Sequence, residues 1–362
     1  MRSLWWTAGS IAIGALISLT TFGNKTVYRS PALSEMKPWD ARGQFRISDD
    51  NGNSVEVRLY SDKQGIPYWY RRVYTPVCNT GECQNIDIGI FWHIGGRYTG
   101  LEVYDRPLTK TDHSAFTGND YFRLEKVLHN SWPRLREYAF ENLVEKTPNG
   151  VDGVTGATNR MIAEETVSGA AYTTYVIWHL ANLGENGQLH ALGLDLMKND
   201  PRLQKKLIRS AIPEYQEFLL ANTHNVRFSE RERIGQLILK GMDSDNNLHL
   251  RKLSFSALAE YIVGQKKLQK QIAKRYPSFS VNEKIQVLGA MEKSGWITER
   301  LYKAFAADLN TDDTWMSIKI IKTLLQGKRH PAKVVAIIAL FRHSDNDMLK
   351  HAAEEFLSAI EN

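Results

Sequence analysis

The sequence predicts an α+β chain in two parts, an antiparallel sheet with accompanying helices followed by an all-helical region. Three observations carry that expectation. Across residues 43–103 apolar and polar side chains alternate with period two, the pattern of half-buried strands. Beyond Leu183 the alternation stops, and apolar residues recur at helical spacing. The breakers between those helical runs are short, so each run must lie close to the next.

With 362 residues the chain is long enough for two cores, and 43% hydrophobic with 24% charged residues excludes both wholesale disorder and a multi-span membrane protein. Its formal charge of +6 is modest for this length. The densest basic clusters, Lys205-Lys206 and Lys266-Lys267 with Lys270, sit inside helical patterns and read as solvated faces. A nucleic-acid partner is not expected, because such proteins gather their basic residues into one stripe.

The first element is a targeting segment. Met1-Arg2 is followed by Leu4-Trp5-Trp6 and an apolar run from Ile11 to Leu19, with no further charge before Lys25. Residues 1–23 are therefore expected to be a signal peptide, or alternatively an uncleaved membrane anchor, since the uncharged stretch approaches the ~20 residues that span a bilayer. Export to the periplasm or another extracytoplasmic space follows. Cys78 and Cys83, the only cysteines, are then expected to pair as a structural disulfide. Their spacing matches neither haem attachment nor a thioredoxin-like redox motif, and no zinc-ligand spacing accompanies them.

Strands are expected where Val55 to Tyr60, Asn85 to Ile90 and Tyr98 to Val103 alternate, with Gly95-Gly96 turning the last pair into a hairpin. A polar loop, Thr109-Lys110-Thr111-Asp112-His113, comes next. Helices are expected over residues 120–128 and 132–143, and after Pro148-Asn149-Gly150 a long helix over residues 161–181. In the second part, Ser229-x-x-Glu232 and Ser280-x-x-Glu283 resemble capping boxes, and Pro331 sits where a first-turn proline belongs. Paired helices repeated in this way suggest an α-solenoid, with an irregular bundle as the alternative. The expected division is 24–183 for the sheet-containing domain and 184–362 for the helical one.

The most informative stretch is Asp152-Gly153-Val154-Thr155-Gly156-Ala157-Thr158. It resembles the Asp-x-x-[Ser/Thr]-Gly-Ala-[Thr/Ser] flavinylation motif of FMN-binding domains, known from the C and G subunits of sodium-pumping quinone reductases. That resemblance implies FMN joined through a phosphoester to Thr158 by a flavin transferase acting outside the cytoplasm, within an FMN-binding-like fold. It covers residues 80–182, and only the seven-residue motif is specific. Asp152 would orient the hydroxyl or hold the transferase's metal. Gly156 and Ala157 leave room for the phosphate, and Thr155 completes the motif. If Thr158 opens the helix expected from Met161, free N–H groups there would solvate the phosphate. The family often places another Ser or Thr shortly after the motif, whereas Asn159, Arg160 and Met161 follow here. The other reading of Thr158 is an unmodified loop residue or helix cap.

Thr109, Lys110 and Thr111 are the expected contacts of the flavin ring, a cation there favouring the reduced anion. A surface turn is the equally open alternative. Trp92, Tyr172, Tyr175 and Trp178 have faces that suit stacking on a flavin, but the helical spacing from Tyr172 to Trp178 favours core, and His179 is expected to be packed rather than catalytic. No hydrolase elbow, His-Glu-x-x-His, Walker loop or Rossmann glycine pattern is present. Three functions are therefore expected to compete. The first is an exported electron carrier with covalent FMN, its helical region docking redox partner proteins or a membrane complex. The second is a flavin-free scaffold that binds a protein partner, and the third a flavin-dependent reductase with its own substrate.

Overall fold

The computed structural model describes residues 25–34, 36, 40–49, 52–78, 83–131, 133–143, 158, 160–224 and 230–361. The expected N-terminal targeting segment lies outside them. Six strands form one antiparallel sheet: β1 (Thr26–Arg29), β2 (Asp40–Ser48), β3 (Ser54–Ser61), β4 (Pro67–Thr75), β5 (Ile86–His93) and β6 (Tyr98–Tyr104), in the order β1-β6-β5-β4-β3-β2. Strands β2 to β6 are a meander, and β1 closes the free edge of β6. Gly95 and Gly96 make the β5–β6 turn, as expected.

Alternation sorts the two faces of the sheet. Val57, Leu59, Trp69, Val73, Ile88, Ile90, Trp92, Leu101 and Val103 point into a core shared with α1 (Gly118–His129) and α2 (Ala171–Asn182). The opposite face carries Tyr68 and Phe91 against Leu33, with Tyr60 and Tyr70 beside them. Cys78 and Cys83 form the disulfide after β4, with their Cα atoms 5.8 Å apart. A Cys78→Ser/Cys83→Ser double variant is expected to melt at a lower temperature but still fold. Its loop is shorter than the 15 residues for which cross-linking contributes ~3 kcal/mol. Free thiols in protein taken from an oxidising compartment would contradict the pairing.

One expected helix is absent and another begins late. Where a helix is expected over residues 132–143, the described residues 133–143 hold only two 3-10 turns, Arg134–Arg136 and Phe140–Asn142, because the extended Pro133 and Ala139 interrupt helical geometry. Residues 161–170 hold a 3-10 turn at Ala163–Glu165, and the helix begins only at Ala171. Gly169 there adopts φ +70°, open to glycine and poor for other residues, and the Val167 N–H donates to the Thr174 hydroxyl instead of continuing a helix.

The rest of the described chain is helical: α3 (Asn186–Asn199), α4 (Pro201–Arg209), α5 (Pro213–Ala221), α6 (Arg231–Met242), α7 (Leu248–Tyr261), α8 (Lys266–Arg275), α9 (Val281–Ser294), α10 (Glu299–Ala306), α11 (Thr314–Leu325), α12 (Ala332–Leu340) and α13 (Asp347–Glu361). From α4 onward the neighbours alternate. Helices α4, α6, α8, α10 and α12 touch in succession, and so do α5, α7, α9, α11 and α13, making two rows whose apolar faces meet in one core. None of the described helices is long and apolar enough to cross a membrane.

Ser280 and Glu283 form the expected capping box at α9, with the Glu283 carboxylate accepting from the Ser280 N–H at 2.8 Å and from its hydroxyl at 2.9 Å. Arg251 of α7 donates to the same carboxylate at 2.6 Å, and chiefly for that reason Glu283 titrates below the ordinary glutamate range. Ser280→Ala is expected to destabilise the protein by about 1 kcal/mol, measured by thermal or denaturant unfolding; an unchanged midpoint would count against the cap. The other expected box differs. Ser229 lies outside the described residues, and Glu232 pairs with Lys267 at 2.9 Å. Pro331 is the residue before α12 and not its first member.

The sheet and the helices meet at the β5–β6 hairpin. Ile66 and Ile94 belong to the helical core, and α3 approaches so closely that a Cβ on Gly193 would lie 1.9 Å from the Ile94 carbonyl oxygen. Arg71 reaches across to an ion pair with Glu185, and Arg97 pairs with Glu217 at 2.6 Å.

Candidate functional site

The polar loop after β6 is a closed turn. Thr109 bridges Ala115, the Lys110 N–H donates to the Ser114 carbonyl at 2.9 Å, and His113 reverses the chain at φ +62°. Asp112 stabilises the tip by accepting from the Ser114 hydroxyl at 2.6 Å and its N–H at 3.0 Å, which lowers its pKa. The loop is pinned to the segment that leads into α2. Both the N–H and the hydroxyl of Thr111 donate to the Gly169 carbonyl, at 2.7 and 2.8 Å, and the Thr173 hydroxyl donates to the Thr109 carbonyl at 3.1 Å. Thr111 thus spends both donors on anchoring the loop.

Lys110 is half-buried, and its ammonium lies 3.0 Å from Asp120. Asp120 is itself fixed in the capping box of α1, its carboxylate accepting from the N–H and the hydroxyl of Thr117, both at 2.8 Å. Burial works to raise the pKa of Asp120, but the Thr117 and Lys110 contacts outweigh it and the net shift is downward. The Lys110 ammonium is thereby held in one place. Asp120 and Gly169 were not expected as site residues. Only Thr117-x-x-Asp120, a capping pattern, signals the first of them in the sequence.

Thr158 is partly exposed in a β-bridge. Asp152, Thr155, Gly156 and Ala157 lie outside the described residues. The expectation that Thr158 opens a helix does not hold, since turn and 3-10 geometry occupy residues 160–165 and α2 starts 13 positions later. After Thr158 the chain returns to the sheet-side core through the buried Ile162, and Glu165 accepts from the Leu135 N–H at 3.2 Å. It then reaches Gly169, where the Thr109–Thr111 loop is tied. A cavity of about 170 Å³ opens between α1 and the 163–165 turn, with Arg123 and Lys126 on its wall.

The aromatic residues divide between core and core edge, so the expectation of core holds for Trp178 and only in part for Tyr172 and Tyr175. Trp92 and Trp178 are fully buried, and their indole N–H groups donate to the Ala181 carbonyl at 2.7 Å and the Asn130 carbonyl at 2.8 Å. Tyr172 and Tyr175 are half-buried against Phe140, and His179 packs on Tyr175 with ring centroids 3.8 Å apart. Among the described residues no group of three or more His, Cys, Asp or Glu gathers to hold a metal.

Comparison with known protein families, with curated proteins and with solved structures finds no match to this chain.

Proposed function

We propose that this chain is an exported electron-transfer flavoprotein that carries FMN on Thr158 through a phosphoester, with its helical region docking redox partner proteins. The observation that carries the reading is the motif ending at Thr158, in a chain whose two cysteines are joined as an oxidising compartment allows. The described residues fit such a group: a partly exposed hydroxyl at Thr158, and a fixed cation at Lys110 on a loop tied to the segment that follows Thr158. FMN, once attached, supplies the electron-carrying ring. The chain's part is to hold and orient it, with Lys110 lending positive charge and Thr111 keeping that loop in register. The two helix rows support the stacked-pair, solenoid-like reading of the C-terminal region, a shape that offers long surfaces for docking.

A second reading, the flavin-free scaffold, is favoured by one observation. Trp92 and Trp178 are sealed in the core, leaving the half-buried tyrosines as the stacking faces nearest α2. Co-export with a flavin transferase followed by intact-mass analysis separates the two. A yellow protein heavier by one FMN is expected; a colourless protein of unmodified mass under those conditions would favour the scaffold. Turnover of a small substrate without transfer to protein acceptors would instead point to a reductase.

A further inference from the structure

The two helix rows differ sharply in charge. Helices α4, α6, α8, α10 and α12 contain fifteen Lys and Arg against two acidic residues, whereas α5, α7, α9, α11 and α13 contain seven against nine. Basic residues that are scattered along the sequence are thus gathered on one row. A groove of about 960 Å³ opens at the starts of three helices in that row, α8, α10 and α12. Lys266, Lys328, Arg329 and Lys333 stand around it, all exposed, and none makes an ion pair among the described residues. Its one carboxylate, Glu299, is already engaged with Lys303 at 2.6 Å.

The groove has a fixed floor. Gln269 of α8, fully buried, accepts from the Thr298 N–H at 2.7 Å and donates to the Trp296 carbonyl at 2.8 Å, locking the chain that enters α10. Tyr302 is also buried and donates to the Leu324 carbonyl at 3.0 Å. The residues that precede the three helices, Gln265, Thr298 and Pro331, make no side-chain cap, so the first-turn N–H groups add positive potential to that of the cations. The Thr298 hydroxyl oxygen, shielded from water, has no hydrogen-bond partner among the described residues.

We propose that this groove binds a carboxylate-rich segment of a partner protein. Charge complementarity demands an anionic occupant. The groove's floor, the buried Ile297 and Tyr302 with the half-buried Trp296 beside them, lies between exposed cations and suits a projecting chain better than a flat bilayer surface. Three of the four cations, Lys266, Lys328 and Lys333, are lysines, compact point charges that each take a single carboxylate oxygen without the paired geometry an arginine fork sets, as the separate side chains of a flexible acidic segment offer. The proposal rests on the docking half of the function proposed above and is independent of the flavin.

The test uses the full chain and a fluorescent oligoglutamate peptide, read by anisotropy. The wild-type protein is expected to bind it, more weakly as salt rises. Lys328→Glu/Arg329→Glu is expected to weaken binding about tenfold or more, and Lys266→Glu to weaken it in the same direction. Lys252→Glu/Lys350→Glu, the same charge change on the other row, is expected to leave binding within about twofold of wild type, the effect left to distant screened charges. Circular dichroism confirms folding of each variant. Absence of peptide binding, or equal loss in both double variants, would overturn the proposal. So would tighter, groove-dependent binding of inorganic polyphosphate, a single-stranded oligonucleotide or phosphatidylglycerol vesicles than of the peptide. Because no flavin is read, a protein that binds the peptide yet carries no FMN would separate this inference from the flavoprotein reading.

Discussion

Thr158→Ala is expected to abolish covalent flavin completely, whereas Thr158→Ser retains it. The phosphoester needs an oxygen on the side chain, and alanine has none, so the effect is all or nothing and not a graded loss of affinity. Among the described residues, two downstream hydroxyls are the obvious substitutes. Thr166 is buried and turned toward the Ala163 carbonyl at 3.5 Å. Ser168 is exposed but lies outside the motif, ten residues downstream. Neither is expected to rescue the variant. Since Thr158 is only partly exposed and makes no part of the sheet-side core, the alanine protein should fold normally, with the Cys78–Cys83 disulfide intact. Co-export with the transferase and peptide mass mapping decide the matter. Undiminished flavin in the alanine variant would sink the assignment of the acceptor.

Acidification is expected to destabilise the protein through His93. Its imidazole is buried where the β5–β6 hairpin meets α5, edge-on to Tyr215 with centroids 5.9 Å apart. The ring nitrogen Nδ1 accepts from the Gly95 N–H at 2.8 Å, so the ring is neutral with its proton on Nε2. Burial first, then the nearby Arg97 and His190, push its pKa down to about 3. The sign follows directly. Below the ordinary histidine value of roughly 6.5 the unfolded chain takes up a proton that the folded chain refuses, so stability falls as pH falls through that value toward 3. The gap corresponds to roughly 4–5 kcal/mol lost across the window, the size of many a domain's whole stability. Denaturant unfolding at a series of pH values measures it. His93→Asn keeps an acceptor for the Gly95 N–H but cannot titrate, so its stability should start lower and slope less. A wild-type curve flat between pH 6.5 and 4, or the same slope in both proteins, would rule His93 out as the cause.

Where the sequence was read correctly, the signal was local. The capping box at Ser280 and Glu283, the glycine turn at Gly95-Gly96, and the alternation of Val57 with Leu59 or Ile88 with Ile90 all depend on neighbours a few residues away. Where it was read wrongly, a distant contact outweighed local preference. Residues 161–170 have helical composition. Yet the Gly169 carbonyl accepts from Thr111, 58 positions away, and the Thr174 hydroxyl takes the Val167 N–H, so the helix waits until Ala171. Glu232, expected to cap its own helix, is drawn to Lys267, 35 residues on.

The candidate site follows the same division. Thr158 and the lysine of the polar loop are visible as residue types in a pattern. That Lys110 is fixed by Asp120, and that Thr111 holds the loop instead of offering donors, comes from pairings across the fold.

The sequence alone determined the periodicities that make the sheet and the helices, the proximity that joins Cys78 to Cys83, and the motif from which Thr158 is proposed as the acceptor. Only the tertiary structure decided that His93 is sealed from water and that basic residues scattered from Arg202 to Lys333 share one row of helices. The reason is physical: hydrogen-bond period and side-chain alternation are properties of a short stretch of backbone, whereas burial and shared charge arise only when packing brings distant stretches side by side.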